Sequence, residues 1–172
     1  MNYLCKTIPH SEFDPSNIIH PTAIVYDNVE LGKNNVIGPY TVIGSNGEMR
    51  GVKQEDFKGR VVIGSNNVIS EHVTIQRPFL TNRLTEIGSN NIIMAHSHIG
   101  HDATIGSNTE ICTGVIIGGY AEVADYVKLK LGVIVRNRCK VGKGSLIGMG
   151  GIVTKNIEEG KVCYGNPAKE KQ

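Results

Sequence analysis

From Ile87 to Val153 an aliphatic residue stands at every sixth position through twelve consecutive repeats: Ile87, Ile93, Ile99, Ile105, Ile111, Ile117, Val123, Leu129, Val135, Val141, Ile147 and Val153. The same beat runs through Ile19, Val25, Leu31, Ile37 and Ile43, and again through Ile63, Ile69 and Ile75. A mixed globular core gives no reason for such a period. A solenoid does, because each repeat must offer one side chain to a continuous interior stack.

With the aliphatic residue as position one, position two is often Gly (Gly32, Gly64, Gly88, Gly100, Gly118) and position five is small or β-branched (Ala23, Thr41, Val73, Ala103, Val115, Ala121). Positions three and four carry turn formers, as in Ser65-Asn66, Ser89-Asn90 and Ser107-Asn108, where Asn tolerates the left-handed backbone of a sharp corner. Short β-stretches joined by such corners predict a parallel β-helix with positions one and five pointing inward. The period resembles that of the left-handed β-helix of hexapeptide-repeat acyltransferases. That resemblance implies the hand and three hexads per coil, so that residues 18 apart stack.

The chain of 172 residues suits one domain. Only 5% of residues are aromatic and Trp is absent, as a thin interior filled by branched aliphatics requires. A net charge of +2 from scattered basic residues leaves no footprint for nucleic acid. Cys5, Cys112, Cys139 and Cys163 form neither a CxxC pair nor a disulfide framework, which points to reduced thiols in the cytoplasm. No segment has signal-peptide character or the length of a membrane span. The expected organisation is an N-terminal cap over 1–17, a β-helix over 18–153 and a C-terminal cap or tail over 154–172.

Two irregularities interrupt the beat. Ile43 and Ile63 are 20 residues apart, two more than a coil, and the polar stretch 46–59 is expected to bulge out as a loop. Between Ile75 and Ile87 Thr81 takes the aliphatic place; the phase is expected to survive there, with 77–83 looser.

Residues 94–106 read MAHSHIGHDATIG, and His101-Asp102 occupies the corner where other hexads place Ser-Asn. A corner residue is expected to face solvent or a neighbouring chain. By the 18-residue rule Gly119 and then Asn137 lie above His101, and Arg83 lies below. A histidine one strand-spacing from a small residue with a backbone N–H is a workable acyl-transfer constellation: the imidazole deprotonates a hydroxyl or amine, and the N–H holds the developing oxyanion. Asp102 either orients the ring or closes the turn.

The runs HIGHDATIG, GVIIGGYAEV, IHPTAIV, SEHVTIQRP and YGNPAK resemble the UDP-N-acetylglucosamine acyltransferase of lipid A synthesis over roughly residues 18–168. The resemblance implies His101 as general base, Gly119 as oxyanion donor and His98 as a substrate contact. Gln76, Asn137 and Arg83 are the other expected substrate-binding positions. It further implies a homotrimer acting on a nucleotide-linked sugar, with no bound cofactor. The chain departs from the family in having Gln76 where a His follows VTI, Arg136-Asn137 for a His-Gln, and a different sugar-contacting loop. The family's helical C-terminal domain has no counterpart before Gln172, from which acyl-CoA is the expected thioester donor.

The spacing of His96 and His101 also resembles the metal pair of γ-class carbonic anhydrases. Five extended residues cover about 16 Å, so only neighbouring subunits of a trimer could close both imidazoles on one ion. The third ligand position falls on Gln76, a poor zinc ligand. A non-enzymatic scaffold subunit on the same prism is a third class.

Overall fold

The computed structural model describes residues 6–48 and 50–170. Cys5 and the first residues of the expected N-terminal cap therefore lie outside the described residues. The chain coils into a left-handed parallel β-helix with three parallel sheets. One coil supplies, for example, Ile92–Ile93 to a first sheet, His98–Ile99 to a second and Thr104–Ile105 to a third. The next coil pairs 18 residues on, as Ile93 with Ile111, Ile99 with Ile117 and Ile105 with Val123.

Position one is sealed from Ile37 to Val153, whereas Ile19 and Leu31 at the N-terminal end are partly buried. Ile37, Ile43, Ile63, Ile69, Ile75, Ile93, Ile99 and Ile117 are all below 2% exposure. Each such side chain contributes about 1.5–3 kcal/mol of burial, so this aliphatic column is the main stabilising element.

The three corners differ in what they do with the left-handed backbone. The corner between the third and first sheets holds Asn34, Asn66, Asn90 and Asn108 at φ of 57 to 60°. Beside them a run of asparagines that the position-five rule did not anticipate (Asn35, Asn67 and Asn91) is buried. Asn67 Nδ2 donates to Asn35 Oδ1 at 3.0 Å and to the Gly88 carbonyl at 3.0 Å, and Asn67 Oδ1 accepts from the Asn91 amide at 2.9 Å. The serines form a second ladder: the amides of Lys33, Ser65 and Ser89 donate to Ser65, Ser89 and Ser107 Oγ at 3.0 Å each. A buried asparagine is tolerated here because its amide is shared between coils.

Both irregularities are larger than the spacings imply. Ile43 pairs with Ile75, 32 residues on, so this coil carries fourteen extra residues between Ile43 and Ile63. The spacing of 20 is one hexad step plus fourteen, not a coil plus two. Ile75 pairs with Ile99, 24 residues on, so a whole hexad is inserted over 78–83 and Thr81 occupies no coil position. Both insertions leave the corner between the second and third sheets and pack on each other. Phe57, 1% exposed, meets Phe79 edge-on at 5.8 Å, and the Lys58 amide donates to the Phe79 carbonyl at 2.8 Å.

At the C-terminal end the chain adds most of another coil. Ile157 bridges Val141 and Cys163 pairs with Ile147, sixteen residues on, before Lys169–Glu170 folds back antiparallel on Cys163 and Tyr164. At the other end Thr7 bridges Tyr26 and Phe13 packs on the core.

Candidate active site

Gly100, His101, Asp102 and Ala103 form the corner between the second and third sheets, with Asp102 left-handed at φ 60°. The Asp102 amide is fixed by donating to Thr85 Oγ1 at 2.9 Å. From that anchor Asp102 Oδ2 accepts from His101 Nδ1 at 2.8 Å. This bond commits the imidazole proton to Nδ1 and leaves Nε2 with its lone pair. Nε2 lies against Gly119, where a Cβ would sit 2.9 Å from it. The bare Gly100 keeps the neighbouring space open, since a Cβ there would lie 2.7 Å from the Gly119 nitrogen. Among the described residues the Gly119 amide has no hydrogen-bond acceptor, whereas the matching amides of Lys33, Ser65 and Ser89 are each held by a serine.

His101 does not face solvent, as its corner position had led us to expect. It is 8% exposed, because the fourteen-residue insertion brings Gly47 over its ring, where a Cβ would meet the imidazole at 2.9 Å. A cavity of about 260 Å³ on the second sheet is lined by Glu48, Gln76, His98, His101, Gly119 and Asn137. Three residues expected from the sequence, Gln76, His98 and Asn137, thus line the cavity with the His101–Gly119 pair, and Asp102 bonds to His101. Glu48 and Gly47 were not anticipated, since a loop carries no hexad phase by which to place them. Tyr120 was also missed; its ring meets His101 edge-on at 5.2 Å.

Arg83 does not sit beneath His101 as the 18-residue rule placed it, because the inserted hexad moves it out of the coil. Its side chain instead reaches Asp102, Nε to Oδ1 at 2.8 Å. Arg83 and Asp102 belong to a larger cavity of about 500 Å³ on the third-sheet flank, shared with Tyr120, Arg138, Glu86 and Glu122. His101 and Gly119 both line the smaller cavity, and neither lines the larger one.

Burial works against the charged Asp102 carboxylate, but hydrogen bonds from His101 and Arg83 and their charges outweigh it and hold its pKa below the usual range. Burial also lowers the pKa of His98, helped by the nearby His101 and opposed by Glu48; His98 Nδ1 is 2.7 Å from Thr74 Oγ1. Burial raises the pKa of the Cys112 thiol, with the Glu110 carboxylate adding to it, so this residue is a packing element and not an activated nucleophile.

Within a single chain His96 and His101 do not close on one ion. His96 stands at the preceding corner, between the first and second sheets, stacked on His72 at 4.9 Å, while His101 is committed to Asp102. Among the described residues no group of three His, Cys, Asp or Glu side chains is placed to hold a metal ion.

The bacterial transferase hexapeptide family, six repeats, matches residues 84–119, the span that carries this corner. The fold and the match together define a hexapeptide-repeat acyltransferase. The chain is 34% identical to the acyl-[acyl-carrier-protein]–UDP-N-acetylglucosamine O-acyltransferase of Pseudomonas savastanoi pv. phaseolicola, over 92% of this chain and 73% of that one. The crystal structure of the Francisella novicida UDP-N-acetylglucosamine acyltransferase superposes with a TM-score of 0.71 at 30% identity, over 88% of this chain and 66% of that one. The Arabidopsis UDP-N-acetylglucosamine acyltransferase shares the fold, with a TM-score of 0.78 at 24% identity over 91% and 72% of the two chains. The chain belongs to the UDP-N-acetylglucosamine O-acyltransferase family and spans two thirds to three quarters of the length of these relatives.

Proposed function

We propose that the chain transfers an acyl group from a thioester to a hydroxyl or amine of a nucleotide-linked sugar. His101 Nε2 takes the proton from the attacking group, the Gly119 N–H holds the oxyanion of the tetrahedral intermediate, and Asp102 keeps the imidazole in the tautomer that leaves Nε2 free. His98, Gln76 and Asn137 contact the acceptor or donor from the same cavity. The observation that carries this reading is the conjunction at one corner of a carboxylate-held imidazole and a bare glycine against its free nitrogen. The names of the relatives support a nucleotide-sugar acceptor.

The donor expected from the sequence is acyl-CoA, whereas the relatives are named for acyl-carrier-protein thioesters. Both present the same phosphopantetheine thioester, and the reaction drawn here uses only that group. The reading includes a homotrimer in the cytoplasm. A thiol-release assay of acyl-CoA and acyl-carrier-protein donors against UDP- and other nucleotide-linked sugars tests it. Acceptor-dependent thiol release with at least one pair is the expected result; no acceptor-dependent release with any pair, from folded protein, overturns it.

A further inference from the structure

The hexad inserted at 78–83 contributes nothing to the core cluster. Its backbone is nevertheless held. The Arg83 amide donates to the Leu80 carbonyl at 3.1 Å, and the Arg83 carbonyl accepts from the Arg60 amide at 3.3 Å. The guanidinium so placed binds the oxygen of Asp102 that His101 leaves unused. The Asp102 carboxylate is 3% exposed, and these two bonds together allow it one orientation. On the far side Tyr120 is covered by two cations, with Arg83 at 5.2 Å and Arg138 at 4.3 Å from its ring centre.

We propose that Arg83 is a positioning residue for the general base, acting through Asp102 and not by touching substrate. The proposal rests on the reading of His101 as the base. Arg83 does two things in this arrangement. It stops the carboxyl from rotating, so Oδ2 stays on Nδ1 and Nε2 stays aimed past Gly119. Its positive charge also offsets part of the Asp102 charge, so the carboxylate orients the imidazole without overstabilising the imidazolium, which cannot act as a base. The charged and titratable groups facing His101 are Asp102 beside it, Arg83 behind Asp102, His98 on the adjoining strand, Glu48 from the first insertion and Tyr120 from the next coil. Arg83→Gln alters only one of them.

The test compares Arg83→Gln and Arg83→Lys with the parent enzyme over a pH series, using the donor–acceptor pair found active in the thiol-release assay. Misorientation of the base in Arg83→Gln is expected to lower kcat by about tenfold or more. KM for both substrates should stay within about twofold, since no substrate contact is lost. With the cation gone, Asp102 holds the imidazolium more firmly, so the acid limb of kcat/KM moves to higher pH. Arg83→Lys keeps the charge but not the fork, so its acid limb should stay near the parent's while kcat falls between the other two. It also serves as the test should Arg83→Gln not fold. A rise in KM for the nucleotide sugar with an unmoved acid limb would make Arg83 a substrate contact and overturn the proposal; so would unchanged kcat in both variants. His101→Ala separates the two levels: full activity there removes the base itself, whereas loss there with indifference at Arg83 removes only the positioning role.

Discussion

The corner between the third and first sheets and the corner between the second and third sheets are built on the same left-handed residue at position four, Asn90 or Asn108 in one and Asp102 in the other. They differ in what stands at position three and what stacks on it. At the first, serine lies on serine and each position-three amide from Lys33 to Ser89 finds an oxygen one coil on. At the second, His101 lies under Gly119 and Gly119 under Asn137; among the described residues no oxygen accepts the Gly119 amide, and a cavity lies beside it. The lesson is that a β-helix corner with all its amides satisfied is a structural seam. The same corner with a bare glycine beside the imidazole, and with that glycine's amide left unaccepted by the coil above, has room and an available N–H, the two things an acyl-transfer site needs.

The comparison can be broken from either side. The largest effect is expected from Gly119→Ala. Its methyl group would enter at 2.9 Å from His101 Nε2 and displace the ring, so turnover should drop by about 10² in protein that is still folded, with only a modest loss of melting temperature. Steady-state kinetics beside a calorimetric scan separates the two, and a fully active Gly119→Ala would show that this glycine is only a turn residue. Asn67→Ala is the opposite probe. It removes a buried amide shared by three coils and should cost about 2–4 kcal/mol of stability, read by denaturant unfolding, with kcat of the folded fraction intact. Ser89→Ala, which orphans one amide, is expected to cost about 1 kcal/mol in the same measurement.

The pH dependence of stability gives the smallest effects. Burial lowers the folded pKa of His98, so its stabilising preference for the neutral ring is complete above the reference value of 6.5 and fades as pH falls through it. Asp102, also lowered, contributes stability that is full above its reference value of 3.8 and is lost in stronger acid as the carboxyl protonates. Melting temperatures should therefore decline in two acid steps, with His98→Gln flattening the first and Asp102→Asn the second.

The fold was legible wherever the period of six was kept, because position one must be aliphatic in every coil. The insertions were misread for a physical reason. Six extra residues over 78–83 equal one repeat and leave the phase intact, so the sequence alone could not distinguish an outward excursion from a weak hexad. That error placed Arg83 under His101 when its side chain in fact serves Asp102. The asparagine ladder was overlooked because an asparagine is acceptable at an inward position only when its neighbours above and below share its amide, a cooperative condition that no single hexad displays. The placement of His101 and Asp102 beneath Gly119 and Tyr120 was legible because these residues lie in uninterrupted coils. Gly47 and Glu48 were not, since contact between a loop and a corner leaves no periodic trace.

Acceptor-dependent turnover of His101→Ala, measured at the pH optimum of the parent enzyme, tests the account most directly. Losing the imidazole also uncovers the ring contact of Gly47, so some loss of melting temperature is expected and unfolding must be followed on the same sample. The account predicts a fall in kcat/KM of about 10² or more from protein that is still folded. Folded His101→Ala enzyme with near-parental turnover would contradict it.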